Sequence, residues 1–395
     1  MNSDETGNSE YFNTKSFCPA PWVSLYIDPT GRVENCCISD NNLGNINQIS
    51  DVKEIIFGQK NKDIQKLILD DQFPKGCSRC SSSGSHTLQK RMLQIFPNIN
   101  NELYQEGKFE LKYLDVRWSN TCNLACIYCG PQLSSTWANE LNVVHRINRS
   151  TKHNLLEYVL DNVHTLKEVY MAGGEPLLMK ENELLIDAIL QKNPKCHVLV
   201  NTNLTQIKDS PIFKNLLKLP NCSWLVSMDA TEERFEYLRY PAKWDEFKDN
   251  FELLTTQVDN RKIAINMVFT SVNALTYWDT VNYVIDTMNV HLNNISLALV
   301  NDGSSGPLNP IHLPIDCQNI VLEKMNQLRF KSIRGWQNIH DYMSAGIYIP
   351  GVYTPPGGTI GVWPWSELDK LDQRRGLDSS NIFPELYKYK DTEPK

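Results

Sequence analysis

Cys122, Cys126 and Cys129 stand in the run CNLACIYC, a CxxxCxxC triad with an aromatic residue before the last cysteine. Three thiolates this close can hold three corners of a [4Fe-4S] cluster, which normally takes four cysteine ligands. With three, one iron stays open and can bind and activate a small molecule. Clustered cysteines are also zinc ligands. A zinc knuckle would want a fourth Cys or His close by, and none follows before His145.

Cys18, Cys36, Cys37, Cys77 and Cys80 form a second group in the first fifth of the chain. Gly31 precedes Cys36 by a Gly-xxxx-Cys spacing, and Cys77 and Cys80 form a CxxC. Four thiolates from this group suffice for one iron–sulfur cluster, and the same four could hold zinc. Cys37 competes with Cys36 for a ligand position. Cys196, Cys222 and Cys317 stand alone, as small buried apolar residues do, and receive no role.

These residues need elements to hold them. From Leu111 the pattern alternates strand and helix. LKYLDVRW, VYMA, HVLV, SWLVSM, IAINMVF and ISLALV read as strands. Helices are expected over Leu133–Ile147, Glu183–Leu190, Ile212–Leu219, Trp244–Leu254 and Tyr277–Met288. About six βα units imply a parallel sheet with helices outside it. In β/α barrels the active site lies at the C-terminal ends of the strands. There stand the cysteine loop, Gly173–Gly174–Glu175–Pro176, Asn201–Thr202–Asn203, Ser227 with Asp229, and Asn301 with Asp302. A short helix is expected over Leu88–Ile95, a loop over Ser81–Ser85, and a helix over Ile320–Phe330. The stretch IPGVYTPPGGTIGVWPWSE reads as irregular. The expected organisation is a cysteine-rich domain over 12–85, a linker over 86–110, a core over 111–302 and a covering extension over 303–395.

With GGEP one strand and one helix after CxxxCxxC, the chain resembles the radical S-adenosylmethionine (radical SAM) enzymes. The resemblance implies an α/β fold, a partial (β/α)6 barrel. It implies that Cys122, Cys126 and Cys129 hold a catalytic [4Fe-4S] cluster whose open iron binds S-adenosylmethionine. Reductive cleavage then gives a 5′-deoxyadenosyl radical that removes hydrogen from a substrate. Tyr128 would lie near the adenine. Gly173 and Gly174 would let the backbone approach the ligand. Glu175 would accept a hydrogen bond from the ligand's ammonium; its plain alternative is a solvated turn residue. Ser227 and Asp229 would contact the ribose and methionine part, although Asp229 or Thr231 could instead cap the next helix. Asn203 is a lesser candidate. Arg239 would meet the carboxylate, or be a surface arginine.

The N-terminal string FCPAPWVSLYIDPTGRVENCC, then LGNI, then PKGCSRC, resembles the SPASM/twitch auxiliary-cluster domain of the same enzymes, placed here ahead of the barrel. The shorter, one-cluster twitch form is the better match. Cys18, Cys36, Cys77 and Cys80 would then hold one auxiliary cluster, most simply a [4Fe-4S]. A one-electron reductant such as flavodoxin or ferredoxin is an implied partner. A peptide or protein substrate is the first expectation and a small molecule the second. A zinc-binding interaction protein is the rival from another class.

The 395 residues have room for two domains or one elaborated domain. Net charge of -7 and a pI near 5.7 speak against a general nucleic-acid binder. No apolar run is long enough to span a bilayer, so no membrane partner is expected. The polar start MNSDETGNSEYF has no apolar signal-peptide core, so a cytoplasmic location is expected. Eleven cysteines in tight groups without such a signal favour clusters over disulfides.

Overall fold

The computed structural model describes residues 14–49, 51–82, 88–96, 102–143, 149–300, 308–329, 331–346 and 365–390. The chain folds as two compact units that exchange segments. The first comprises Met1–Cys122, Pro131–Val200 and Asp209–Cys222; the second comprises Asn123–Gly130, Asn201–Lys208 and Ser223–Lys395.

The first unit opens with a hairpin of β1 (Ser24–Ile27) and β2 (Arg32–Glu34), followed by the short β3 (Gly44–Asn45). The turn between β1 and β2 is built by Asp28, whose carboxylate accepts from Thr30 N at 2.8 Å and Arg32 N at 3.1 Å. Gly31 sits there at φ +86, a conformation that favours glycine. Helices α1 (Gln59–Leu69) and α2 (Leu88–Ile95) follow, and α2 matches the expected span. β4 (Tyr113–Val116) pairs with β1 in parallel, Leu25 opposite Leu114 and Tyr26 opposite Asp115. β5 (Glu168–Met171) and β6 (His197–Thr202) continue in parallel. The strand order is β3-β2-β1-β4-β5-β6. Between the strands lie α3 (Ser135–Glu140), α4 (Arg149–Asp161) and α5 (Lys180–Lys192), with α6 (Pro211–Leu216) after β6. Caps fix the helix starts. Ser134 Oγ accepts from Trp137 N at 3.1 Å, and Ser210 Oγ accepts from Phe213 N at 3.2 Å with Pro211 opening α6.

The second unit carries β7 (Cys222–Ser227), β8 (Ile263–Phe269) and β9 (Ile295–Leu299), with β7–β8 and β8–β9 parallel. Along β7 and β8 burial alternates residue by residue, the period-2 signature of one face turned to helices. The helices are α7 (Glu232–Leu238), α8 (Trp244–Gln257), α9 (Tyr277–Asp286), α10 (Ile315–Gln327), α11 (Trp336–Gly346) and α12 (Trp365–Arg375). In α8 the buried residues Trp244, Phe247, Phe251 and Leu254 fall on one stripe. Burying a side chain such as Phe247 contributes roughly 1.5–3 kcal/mol.

Within each unit the strands β4 to β6 and β7 to β9 alternate with helices along the chain, with parallel pairing, which is the expected α/β class. Several expectations need correction. The helix expected over Leu133–Ile147 is only Ser135–Glu140, because Asn142 turns into a left-handed conformation at φ 54. Residues 144–148 lie outside the described residues. α4 and α7 were not expected. Ser81 and Ser82 end a short helix, Ser78–Ser82, instead of starting a loop. Asn301, Asp302 and 349–364 of the expected irregular stretch lie outside the described residues, and its last three residues open α12 instead of being irregular. α10 starts at Ile315, five residues before the expected Ile320. The tail holds α11, α12 and two short helices, Ser379–Ile382 and Pro384–Tyr387.

Candidate functional site

The cysteine loop is anchored at both ends. In the first unit, Cys122 N donates to Ser135 Oγ at 3.1 Å, and Cys122 O accepts from Thr136 Oγ1 at 2.7 Å. The start of α3 therefore fixes the first cysteine. Asn120 Nδ2 donates to Pro131 O at 2.8 Å. In the second unit, Ala125 N donates to Tyr240 O at 2.6 Å and Ile127 N to Leu238 O at 2.9 Å. Cys129 N closes a turn on Cys126 O at 2.9 Å. Cys126 is buried; Cys122 and Cys129 are partly exposed. The Cys126 thiol is pulled down to about 7, first by its hydrogen bond with Cys129 and, against burial, by the Arg239 guanidinium. A thiol in that range readily supplies the thiolate that binds metal.

GGEP lies against the residue before Cys122. Glu175 N donates to Thr121 O at 2.8 Å. A Cβ on Gly174 would collide with that same carbonyl oxygen, and Gly174 has φ +40. Only glycine allows this approach. Gly173, at φ +79, lies against the stem of Arg117. Glu175 is 1% exposed, which removes the reading of a solvated residue, and its Oε1 accepts from Leu177 N at 3.1 Å. Asn182, which the sequence did not single out, supports the turn by donating to Pro176 O at 2.9 Å and accepting from Trp118 Nε1 at 2.8 Å.

In the second unit Tyr128, Asp229 and Arg239 meet. Tyr128 OH donates to Asp229 Oδ2 at 2.5 Å, and Arg239 Nη1 donates to the same oxygen at 2.6 Å and also to Tyr128 OH. Val268 N donates to Asp229 Oδ1 at 2.6 Å. Asp229 is fully buried and caps no helix. Arg239 is 4% exposed, not a surface residue. A charge pair at this depth is sustained by the hydrogen bonds that Tyr128, Arg239 and Val268 give the carboxylate. Arg239 Nε is buried without a hydrogen-bond partner among the described residues. An unspent buried donor of this kind suits an acceptor group on a ligand.

Asn203 donates to Asn123 Oδ1 at 3.1 Å and accepts from Thr205 N at 3.0 Å and Thr205 Oγ1 at 2.7 Å. Asn123 in turn donates to Thr205 Oγ1 at 2.8 Å. Asn203 therefore ties its loop to the cysteine loop. Ser227 Oγ, at the end of β7, donates to Asn201 Oδ1 at 3.2 Å. Asn123 and Thr205 were missed by sequence reasoning, although Asn123 lies inside the cysteine motif; Asn201 was placed at a strand end without a role.

Cys18, Cys36, Cys77 and Cys80 line one pocket in the first unit, with Ile64 and Met92 among its apolar neighbours; Cys37 is not part of the lining. Asn41 builds the pocket's edge. Its Oδ1 accepts from Gly76 N at 3.1 Å, and its Nδ2 donates to Cys77 Sγ at 3.4 Å. Burial pushes the Cys18 thiol up to about 12 and the Cys36 thiol well above its usual range. Burial also raises Cys77, against the Asn41 hydrogen bond. Buried thiols in an apolar pocket ionise only beside a compensating cation. The donor set fits an iron–sulfur group. Among the described residues no three His, Cys, Asp or Glu side chains form a group compact enough for a single metal ion. Cys196, Cys222 and Cys317 are buried in the core. No helix among the described residues is long and apolar enough to cross a membrane.

Two family models match the chain. Residues 116–284 match the model of the radical SAM superfamily, and residues 18–81 match that of SPASM, an iron–sulfur cluster-binding domain. A GTP 3′,8-cyclase of Nautilia profundicola is 26% identical over 104 residues, 26% of this chain and 31% of that one. The chain thus matches under a third of the length of this curated relative. Among solved structures, native anSMEcpe with bound AdoMet and Cp18Cys peptide is 17% identical, covering 58% of this chain and 61% of that one with a TM-score of 0.40. Streptococcus suis SuiB bound to S-adenosylmethionine is 16% identical, covering 74% and 60% with a TM-score of 0.38.

Proposed function

We infer the function of this chain from its class: it is a radical SAM enzyme, with its core at residues 116–284 behind a SPASM domain at residues 18–81. That class brings a [4Fe-4S] cluster, S-adenosylmethionine and auxiliary iron–sulfur. In our reading Cys122, Cys126 and Cys129 hold the catalytic cluster, and Cys18, Cys36, Cys77 and Cys80 hold one auxiliary cluster. When bound, the cluster and S-adenosylmethionine supply a radical that removes hydrogen from the substrate. The chain's residues prepare the place. Gly173 and Gly174 let the backbone approach the ligand. Glu175 is the acceptor for its ammonium. Arg239 offers Nε to its carboxylate. Ser227 and Asn203 stand at strand ends for the ribose side, and Tyr128 packs beside the adenine. A preorganised, water-poor site keeps the radical beside its target.

The observation that supports this reading most is the shared pocket of four cysteines, drawn from separate segments of the chain. The substrate we propose is a peptide or protein, because SPASM-type domains often accompany peptide modification. A second reading is a small molecule such as a nucleotide, favoured by the GTP 3′,8-cyclase relative. A flavodoxin or ferredoxin would supply the electron, and the cytoplasm is the proposed location.

The test is anaerobic reconstitution followed by reduction with dithionite and measurement of 5′-deoxyadenosine. The wild type should form it. Cys122→Ala, Cys126→Ala or Cys129→Ala should abolish it while the auxiliary iron remains. Undiminished formation in any of the three would sink the assignment. Mass changes in short peptides encoded beside the gene would then decide between peptide and small molecule.

A further inference from the structure

The second unit holds a contact that neither the cysteine motif nor the ligand-facing residues account for. Arg375, the last residue of α12, donates from Nη2 to Ala125 O at 2.9 Å. Its guanidinium also lies over the Tyr240 ring, 4.7 Å from the centroid. Tyr240 O is the acceptor for Ala125 N. Both backbone polar groups of Ala125 are therefore held from outside the loop, one by Tyr240 and the other by Arg375, whose guanidinium also lies over the Tyr240 ring. Ala125 is fully buried and immediately precedes Cys126. A planar guanidinium can donate and stack at once, which an ammonium does poorly.

Arg375 is itself held in place. Asp372, one turn earlier, accepts from Tyr237 OH of α7 at 2.8 Å and from Ser379 N at 2.8 Å. Phe383 meets the Tyr237 ring edge to face at 5.4 Å. Arg234 of α7 pairs with Glu385 at 3.0 Å. The C-terminal segment is thus docked on the helix whose end, Leu238–Tyr240, also carries the backbone partners of the cysteine loop.

We propose that Arg375 is a positioning residue for the cysteine loop: it locks Ala125, and with it the adjoining Cys126, and places a fixed positive charge beside them. The charge part of this proposal rests on the reading of Cys126 as a cluster ligand; the locking part does not. Iron–sulfur potentials follow local net charge and hydrogen bonding. A cation next to the loop favours the more negative, reduced cluster.

The test uses the full chain as wild type, Arg375→Gln and Arg375→Lys. Hydrogen exchange by mass spectrometry on the metal-free protein reads the loop directly. Arg375→Gln should speed exchange in peptides covering 124–128 at least tenfold while α7 keeps its protection. Redox titration of the reconstituted protein, followed by electron paramagnetic resonance, reads the charge. Arg375→Gln should shift the catalytic cluster to a more negative potential, and Arg375→Lys should restore most of that shift but little of the exchange protection. Unchanged exchange over 124–128 overturns the proposal whatever the cysteines bind. Faster exchange throughout α7 overturns it too, since Arg375 would then be a general stability residue. Faster loop exchange with an unchanged potential overturns the charge role and leaves the reading of Cys126 as a ligand untouched.

Discussion

Asp229 and Tyr128, 101 residues apart in sequence, are joined by a hydrogen bond of 2.5 Å from the phenol to the carboxylate. The bond ties the residue before Cys129 to the end of β7. Asp229 also takes Arg239 and the backbone of β8, so its oxygens serve protein donors. Its influence on a ligand passes through Tyr128 and Arg239. Asp229→Ala strands Arg239 as a buried charge and should cost roughly 3–5 kcal/mol. Tyr128→Phe keeps the ion pair and should cost only about 1 kcal/mol. Urea denaturation of the metal-free proteins checks the ranking; equal losses would mean the ion pair is not the central contact.

Glu175→Ala should keep the iron and weaken S-adenosylmethionine binding by about ten- to hundredfold, the loss of a charged hydrogen bond worth roughly 1.5–3 kcal/mol. Gly174→Ala should do damage of a different kind. The new Cβ meets Thr121 O, so the turn must move away from Cys122. Iron retention and ligand affinity should both fall. Equilibrium binding and iron analysis separate the two variants; unchanged affinity in Glu175→Ala would leave GGEP as a turn only.

Cys36 and Cys37 are neighbours in sequence with different surroundings. Cys36 lines the four-cysteine pocket, while Cys37 is absent from that lining and its thiol lies beside Asp115. Cys36→Ala should lower iron and sulfide by up to one cluster per chain, and Cys37→Ala should leave both almost intact. Changing Cys18, Cys36, Cys77 and Cys80 together should spare reductive cleavage of S-adenosylmethionine but abolish substrate turnover. Zinc in place of iron at this pocket, in protein prepared without oxygen, would refute the auxiliary-cluster assignment.

Glu168 gives a pH dependence. It opens β5 and is bonded by Arg91 at 2.5 Å and by His197 at 3.2 Å. Burial raises its carboxyl, but His197 and Arg91 outweigh burial and leave it below the usual range. The folded form is thus the stronger acid. The stabilisation is fully present above the unfolded value, about 4.3, and is lost as pH falls through the lower folded value. Glu168→Gln should cost about 1.5 kcal/mol at pH 7, the low end for a charged hydrogen bond because Arg91 is partly exposed. The gap to wild type should close in strong acid. A gap independent of pH in urea melts of the metal-free proteins would contradict this.

The repeating strands were legible because β6, β7 and β8 alternate buried and half-buried residues, a pattern that survives in the letters. The CxxxCxxC triad, the CxxC and GGEP were legible because each is a short local run of distinctive letters. α4 was not: RSTKHNLLEYVLD opens on polar residues and shows only a brief apolar run. α12 carries Trp365, Leu368 and Leu371 at helical spacing, but the Pro/Gly-rich run before it masked the signal. The duties of Asp229 and Arg375 could not be read at all. Apart from Arg239, 10 residues from Asp229, they are set by partners 39 to 250 residues away, and no local spacing encodes such a meeting.

The parallel pairing of β1 with β4 bears on how this protein can be cut. Ser24–Ile27 covers one whole side of Tyr113–Val116, so the cysteine-rich region is not a detachable cartridge. A shortened chain that starts after the CxxC would leave that side as a bare row of N–H and C=O groups, an invitation to pair with another copy. Insolubility of such a fragment would then report a missing neighbour, not a missing cofactor.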